Sequence, residues 1–478
     1  MFSPTDMMDN AAVTLKSLLR SGASRAPIAC AAGLIVAVLS GSAAAQSEQV
    51  TALQRQIDDA FRQVLSAPGD MEVGLRYARL LVQAGNFEGG IAAMERLLLS
   101  PNPPPTIRLE LGVLYYRLES YAAAETYLRA AAAQTDLPAE QRRLAEQLLS
   151  DAAKRNQPSR LSGFVMAGVR GQTNPLARTD EDFIRAGGAL VARPSTQKRK
   201  SDTDTQLVGR IEHIYDLETQ NSAELVSTLV GVAQHYSSVS SYKLKVGSDK
   251  PRDLLLAEGT TGIRFKPDPV DLPSWTLRPH VIAGNILLDG HQYAYNLGAG
   301  IESNYRVTDR FVIDAGYEAR NYSYATRVDV AEAKQQGGLE HTVRLRASYE
   351  LAPGQIVVGE VIGRDHGADR GYFAYQSGEL RGTYILSYAS PLGWWDAPAW
   401  TTSVSAGVLQ RNYDTSDPVV DRSRTREDTE WRGTFATQIP IDPAWSILLQ
   451  AEYIKANSNL PNYRYDNTSA LASILWRF

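Results

Sequence analysis

The sequence predicts an all-β transmembrane barrel of about 14 antiparallel strands, preceded by a small all-α domain. Three observations predict this fold: a C-terminal segment with strict alternation, a helical repeat near the N-terminus, and a regular succession of short turns and longer loops. The predicted division is a signal peptide at 1–45, a helical domain at 46–157 and a barrel at 158–478.

The C-terminal segment shows the alternation most clearly. One face is apolar throughout and the other is mixed, as in a strand with lipid on one side. The apolar face consists of Ala470, Ala472, Ile474, Trp476 and Phe478, and the mixed face of Ser469, Leu471, Ser473, Leu475 and Arg477. A barrel strand that ends at the membrane interface leaves the terminal carboxylate in water and its aromatic ring among the headgroups. For this segment alone, an edge strand of a soluble sandwich is the alternative.

Composition excludes several classes of protein. The 478 residues carry a formal net charge of -4 with a pI near 6.0, so there is no basic field of the kind that binds nucleic acid. Mean hydropathy is -0.26, and beyond the N-terminus no apolar run reaches the roughly 18 to 20 residues of a helical membrane span. Insertion into a membrane must therefore be by strands.

The N-terminus has the three parts of a secretory signal peptide. Basic residues precede the apolar run 28–39, and an A-x-A motif predicts cleavage after Ala45. The single cysteine, Cys30, lies inside the removed segment, so the mature chain has no disulfide and no thiolate metal site. The mature protein is predicted to begin at Gln46, outside the cytoplasm.

A helical repeat follows the signal peptide. Between residues 77 and 124 a pattern of small and aromatic residues recurs with an offset of 34, for example from Phe87 to Tyr121 (121 − 87 = 34). This is the period of the tetratricopeptide helix pair. Two repeats cannot bury a continuous core alone, so helices at 51–66 and 139–155 are expected to cap them.

Arrays of this type bind extended peptides along the groove that their first helices line. The repeat register places six residues in that groove: Leu75, Arg79, Val82, Leu109, Val113 and Tyr116. The alternative is that these residues only pack against the flanking helices. The client-binding groove is therefore a hypothesis.

The connections between alternating segments predict the barrel topology. Short turns occur near 217–222, 267–274, 306–310, 351–354, 390–398 and 440–444. Longer polar loops occur near 172–203, 237–252, 323–339, 366–376, 412–428 and 457–466, with one brief loop at 288–292. Such an alternation joins about 14 strands and puts both ends of the barrel on the short-turn side, which is periplasmic in outer-membrane barrels.

Aromatic residues support this orientation. Trp275, Phe311, Trp400 and Trp445 each follow a short turn directly, and Phe478 ends the last strand at the same level. Together they predict a girdle at the periplasmic interface of an outer-membrane barrel, in contact with membrane lipid.

Signals for chemistry are absent from the sequence. There is no Walker loop, H-E-x-x-H motif, cysteine cluster or G-x-S-x-G motif, so neither catalysis nor a metal or other cofactor is predicted. The six histidines are scattered without a motif and are expected to be solvated or to lie at interfaces. Charged residues with inward parity are candidates to steer a solute, or only to hydrate and brace the lumen: Arg210, Glu212, Asp314, Glu318, Arg344, Arg346 and Glu452.

The order of these parts resembles a known family. A signal peptide, a small tetratricopeptide array and the segment Leu161 to Val169 opening a barrel that ends in Phe478 are similar to the surface lipoprotein assembly modulators, the Slam or type XI secretion outer-membrane proteins. Where that family often has an Asp-Asn pair after its first strand, this chain has Arg170 to Asn174. The resemblance implies translocation of particular lipoproteins or small haem- or metal-binding proteins to the cell surface.

The resemblance also implies partners. These are a secreted or lipidated client, with periplasmic chaperones that hold it before export. Two alternatives stay open: a polysaccharide or solute porin whose repeats recruit periplasmic machinery, and a structural protein whose repeats tether other envelope components.

Overall fold

The structure is a computed structural model that describes residues 43–101, 103–219, 221–238, 250–330, 332–391 and 399–478. Residues 1–42 of the predicted signal peptide lie outside the described residues, so the signal peptide stays a prediction. The chain forms two compact units, a helical unit that ends at Arg160 and a barrel that runs from Leu161 to Phe478. In the described part, no helix has both the length and the apolar character needed to cross a membrane.

The helical unit confirms the predicted all-α segment. Within the described residues its six α-helices are α1 Ala43–Ser66, α2 Met71–Gln83, α3 Phe87–Leu98, α4 Thr106–Arg117, α5 Tyr121–Ala132 and α6 Ala139–Arg155. The pair α2 and α3 recurs as α4 and α5, with α3 and α5 starting 34 residues apart (121 − 87 = 34). The assignment of these pairs to the tetratricopeptide type remains a prediction.

Two of these helices begin at side-chain caps. Asp70 Oδ1 accepts hydrogen bonds from the main-chain N–H groups of Glu72 and Val73 at 3.0 and 3.1 Å, at the start of α2. Asn86 Oδ1 accepts one from the N–H of Gly89 at 2.9 Å, at the start of α3. Each cap satisfies donors that the first turn of a helix leaves without a partner.

Small residues let the two helices of each pair touch. Ala78 of α2 is fully buried, and a Cβ atom added at Gly90 of α3 would lie 3.2 Å from the Ala78 carbonyl oxygen. The second pair repeats this contact with exchanged residues: Ala124 of α5 is fully buried, and a Cβ added at Gly112 of α4 would lie 2.6 Å from Leu128 Cγ. Larger side chains at these positions would force the helices apart.

The second unit is a closed barrel. Its strands are β1 Ser159–Gln172, β2 Phe183–Ala186, β3 Ala189–Ala192, β4 Asp202–Asp216, β5 Glu224–Tyr236, β6 Leu254–Arg264, β7 Trp275–Leu288, β8 His291–Thr308, β9 Phe311–Tyr324, β10 Gly338–Ala352, β11 Gln355–His366, β12 Tyr375–Tyr388, β13 Trp400–Tyr413, β14 Glu427–Pro440, β15 Trp445–Ser458 and β16 Tyr465–Arg477. In the described residues fourteen of them, β1 and β4 to β16, form the barrel, in which β1 pairs with β16. The predicted fold class and strand number are confirmed.

The barrel has two different rims. The short connections, such as Asp309 to Arg310 between β8 and β9, lie at the rim where the chain enters β1 and leaves β16, here named the turn rim. The opposite loop rim carries the longer connections and one tight turn, at Asp289 and Gly290, whose φ angles are 52° and 73°. Two successive positive φ angles suit the right-handed twist of a hairpin and favour Gly in this turn.

The first and last strands close the barrel close to the terminal aromatic residue. The N–H of Gly163 donates to the Phe478 carbonyl oxygen at 3.0 Å, and the N–H of Phe478 donates to the Gly163 carbonyl oxygen at 3.1 Å. A Cβ atom at Gly163 would lie 2.7 Å from Phe478 Cζ, so glycine leaves the space that this ring occupies.

The segment 183–192 and the residue Pro279 each depart from the regular barrel pattern. The apolar segment 183–192 does not extend the first barrel hairpin but forms a separate two-stranded sheet, β2 with β3. Pro279 lies inside β7 and pairs with Ile301 of β8, while the regular ladder to β6 stops at the pair Gly262–His280. Proline has no N–H to donate, which accounts for an interruption on one side only.

The outer surface of the barrel is apolar. Leu345 of β10, Val361 of β11 and Leu380 of β12 follow one another across paired strands, and their exposed fractions are 50%, 51% and 57%. Val404 and Phe435, paired between β13 and β14, are 50% and 51% exposed. A continuous belt of exposed aliphatic and aromatic side chains around a closed barrel is the surface that faces lipid.

Candidate functional site in the barrel lumen

The residues predicted for the lumen lie on the inner face of their strands. Arg344 and Arg346 of β10 alternate with Val343 and Leu345, which are 57% and 50% exposed on the outer face. The same alternation puts the remaining residues inside: Arg210, Glu212, Asp314, Glu318 and Glu452. Because the side-chain period of a strand is two, neighbouring residues must face opposite sides of the wall.

Ion pairs cover much of the inner face. Arg320 of β9 contacts Glu258 at 2.5 Å and Glu318 at 2.7 Å, and all three side chains are largely buried. Glu360 of β11 lies between Arg344 and Arg381, with an N···O distance of 3.8 Å to each. Further pairs are Arg210–Glu212, Arg278–Glu302, Arg381–Glu379 and Arg432–Glu430. Paired charges compensate one another's desolvation and present a polar surface to the lumen.

Two of these ion pairs, Arg381–Glu379 and Arg432–Glu430, line a recess in the wall formed by β11 to β14. The residues that line the recess are Arg364, Glu379, Arg381, Gly407, Val408, Leu409, Glu430 and Arg432. None of the five charged residues around it is among the lumen candidates chosen from the sequence, although all five have inward parity.

The inner face also carries an apolar cluster. On β1 and β4 it includes Phe164, Met166 and Val208, which are 6%, 2% and 4% exposed. It continues over β6 to β9 with Leu254, Leu256, Ile286, Leu288, Tyr322 and Tyr324. The lumen wall therefore combines ion pairs with buried apolar side chains, and on β6 both occur in one strand, where Glu258 follows Leu256 as the next inward residue.

The predicted girdle residues lie at the turn rim. Trp275, Phe311, Trp400 and Trp445 are the first residues of β7, β9, β13 and β15, and Phe478 follows the last residue of β16. The aromatic rings of Trp445 and Trp476 have centroids 6.1 Å apart, and those of Trp476 and Phe478 are 4.9 Å apart. Trp275 Nε1 donates to Ser303 Oγ at 3.0 Å, so its polar edge has a partner within the wall.

The predicted groove residues of the helical unit differ in accessibility. Arg79 is exposed and forms an ion pair with Glu110 of α4 at 2.5 Å, whereas Leu109 is 6% exposed and lies in a buried cluster. Leu75, Val82 and Val113 are partly buried against neighbouring helices. Leu109 therefore packs inside the helical unit, whereas the other predicted groove residues are more accessible.

Tyr116, the last predicted groove residue, belongs to a polar cluster. Its hydroxyl donates to Asp151 Oδ2, and its ring lies edge-on to Tyr121 with centroids 5.6 Å apart. Arg155 contacts both rings, at 5.7 and 5.5 Å from their centroids. Burial, followed by the hydrogen bond to Asp151, raises the pKa of Tyr116 to about 12.

Two histidines differ from the sequence-based expectation. His280 and His366 are 5% and 6% exposed on the inner face, beside Glu318 and Glu340 respectively. Their inward parity was readable from the alternation, but the proximity of the carboxylates depends on cross-strand register. The expectation that every histidine is solvated or interfacial is wrong for this pair.

The loops at the loop rim hold one another through side chains that sequence reasoning missed. Arg185 of β2 pairs with the buried Asp421 at 2.6 Å. The Asn462 side chain covers the free edge of β2, because its Oδ1 accepts from the Arg185 N–H at 2.8 Å and its Nδ2 donates to the Arg185 carbonyl at 2.9 Å. The first long loop is thereby fixed over the loops that follow β13 and β15.

A closed antiparallel barrel with an apolar outer belt, an aromatic rim and an ion-paired inner wall defines the class: this is a transmembrane β-barrel of the outer-membrane type. No family model matches the chain, and no curated protein matches it significantly.

Solved outer-membrane proteins are similar to the chain in fold. The structure of OccAB3 from Acinetobacter baumannii has 8% identity and a TM-score of 0.34, over 67% of this chain and 99% of that chain. OpdK from Pseudomonas aeruginosa has 11% identity and a TM-score of 0.29, over 67% and 99%. A bacterial polysaccharide outer membrane secretin has 8% identity and a TM-score of 0.31, over 66% and 98%.

Proposed function

We propose that this protein is an outer-membrane translocator that exports or surface-displays specific lipoproteins or small haem- or metal-binding proteins. The observation that carries the proposal is the combination, in one chain, of a unit of paired helices with a closed membrane barrel. A barrel that only lets solutes diffuse has no need of a peptide-binding array, whereas an exporter must collect its client in the periplasm.

The helical unit would engage the client through its accessible side chains. Arg79 offers a cation with a side chain that is 54% exposed, and its partner Glu110 on the next first helix is 26% exposed. Half-buried aliphatic side chains lie beside this pair, at Leu75 and Val82. A surface with apolar and charged groups side by side suits an extended segment of a client that has not yet folded.

The barrel would then pass the client outward along its inner wall. A polypeptide in transit exposes both peptide groups and side chains, and a wall that combines ion pairs with apolar side chains accommodates both. Nucleotides are not available outside the cytoplasm, so client folding at the cell surface would provide the driving force.

Deletion of residues 47–157 behind an intact signal peptide tests this proposal in cells that produce a client. Surface display of the client is expected to be lost while the purified barrel keeps its heat-modifiable migration on gels. A point variant sharpens the test: Arg79→Glu should reduce display, and Arg62→Glu, on α1 with a side chain that is 76% exposed, is the matched control. Display that persists without residues 47–157 contradicts the proposal.

A polysaccharide or solute porin is the second candidate, and the inward placement of Arg344 and Arg346 favours it. A porin predicts solute-dependent conductance that changes in the double variant Arg344→Gln with Arg346→Gln. Arg310→Gln, at an exposed turn of the rim, is the matched control. Conductance that is small and identical in all three proteins argues against the porin.

A further inference from the structure

Three adjacent strands bring a histidine and two glutamates together on the inner wall. His280 of β7 pairs with Gly300 of β8, and Gly300 pairs in turn with Glu318 of β9. A Cβ atom at Gly300 would lie 2.8 Å from Glu318 Cγ and 2.9 Å from His280 Cε1, so the absence of a side chain lets the two groups meet. Glu302 is the next inward residue of β8. One ligand atom from each of the three residues lies within 4.8 Å of the others.

The hydrogen bond of the His280 ring to a main-chain carbonyl fixes which ring nitrogen is available to bind a cation. His280 Nδ1 lies 3.2 Å from the carbonyl oxygen of Arg278. A carbonyl oxygen only accepts, so Nδ1 must carry the hydrogen. Nε2 then faces Glu318 Oε1 at 3.6 Å, too far for a hydrogen bond, and the His280 side chain is 1% exposed. The ring nitrogen and the carboxylate oxygen are therefore close enough to bind one cation as neighbouring ligands.

The geometry suits a metal ion. Metal–ligand distances of about 2.0 to 2.1 Å place tetrahedral ligand atoms roughly 3.3 Å apart, close to the 3.6 Å separation of His280 Nε2 and Glu318 Oε1. A histidine that binds a metal through one nitrogen characteristically donates from the other to a main-chain carbonyl, as His280 does to Arg278.

Two arginines hold the carboxylates in place. Arg320 donates to Glu318 Oε2 from Nε at 3.0 Å and from Nη2 at 2.7 Å, which leaves Glu318 Oε1 directed at the imidazole. Arg278 Nη1 donates to Glu302 Oε2 at 3.0 Å. Such outer contacts orient carboxylates that bind a metal through a single oxygen.

We propose that His280, Glu302 and Glu318 form a binding site for a divalent transition-metal ion on the lumen wall. One imidazole and two carboxylates suit Zn²⁺, Mn²⁺ or Fe²⁺, whereas Mg²⁺ and Ca²⁺ prefer all-oxygen sites. Glu302 has a side chain that is 46% exposed, so the remaining coordination positions face the lumen and take water. The ion would tie β7, β8 and β9 together beside Arg320.

Zinc binding to the full-length protein tests the site. The protein is purified in detergent without a histidine tag, because a tag binds the same ions, and Zn²⁺ is titrated by calorimetry. The wild-type protein is expected to bind one saturable Zn²⁺ at this site, and His280→Gln should weaken that binding at least tenfold. Glu302→Gln should weaken Zn²⁺ binding by the same factor. Because Glu302 is more exposed than His280, this second variant still tests the site if the His280→Gln protein does not fold.

The matched control is His366→Gln. His366 is also a buried lumen histidine and lies 3.3 Å from one carboxylate, that of Glu340, in a different row of the wall. This variant should bind Zn²⁺ as the wild-type protein does. The proposal is overturned if the wild-type protein shows no saturable Zn²⁺ binding, or if the wild type and His280→Gln bind Zn²⁺ with equal affinity.

Discussion

Leu345 offers the most direct test of the lipid-facing belt. It lies in the middle of β10, is 50% exposed, and pairs with Val361 of β11 and Ala315 of β9. In Leu345→Arg the guanidinium would face acyl chains at the centre of the belt. Arginine at the membrane midplane costs about 2–4 kcal/mol, which at about 1.4 kcal/mol per tenfold corresponds to a roughly 30- to 700-fold shift in the folding equilibrium.

The matched control is a residue on the same outer face that differs from Leu345 in its depth in the membrane. Leu339, the second residue of β10, is 47% exposed on the same outer face, but it lies at the loop rim and pairs with the polar Asn321. Leu339→Arg should cost about 0–1 kcal/mol, because the guanidinium reaches the headgroups.

Reversible urea unfolding in phospholipid vesicles, followed by tryptophan fluorescence, measures both variants against the wild-type protein. Equal losses at Leu345 and Leu339, or no loss at either, would refute the assignment of this face to lipid. A large loss at Leu345 alone supports it.

Three further predictions concern regions outside the belt. Gly112→Val should destabilise the helical unit by about 1–3 kcal/mol, because the added Cβ meets the buried Leu128. Circular dichroism during thermal unfolding measures the loss, and Gly69→Val is the control, because a Cβ at Gly69 would have no atom within 4 Å. Equal melting temperatures of the two variants would contradict the close helix contact. Hydrogen bonds from Arg327 lower the pKa of Asp329, so the stabilisation that Asp329 gives residues 325–330 is present above the unfolded pKa near 3.8 and is lost as the pH falls through the lower folded pKa. Hydrogen exchange corrected for intrinsic rates should show this loss at low pH, and Asp329→Asn should abolish the pH dependence. Burial and the bond to Asp151 raise the pKa of Tyr116 to about 12, so an absorbance titration of Tyr116→Phe should lose one tyrosine from the step near that pH, and an unchanged step would contradict the cluster.

Local patterns in the sequence determined the architecture. Alternation with period two assigns each strand residue to the inner or outer face, and turn residues mark where strands end, so strand number and the side of Arg344 or Leu345 follow without tertiary information. The aromatic starts of β7, β9, β13 and β15 were readable for the same reason. The helical repeat was visible because small residues recur at a fixed offset.

Only the tertiary structure decided which groups meet. The contact between His280 and Glu318 requires two strand registers and a glycine between them, and neither residue is close to the other in sequence. The same holds for Arg185 and Asp421, which lie 236 residues apart. The geometry of a single strand decides whether a side chain lies on the inner or the outer face. Which residues become neighbours across strands depends on the register between the strands, and the closed barrel as a whole fixes that register.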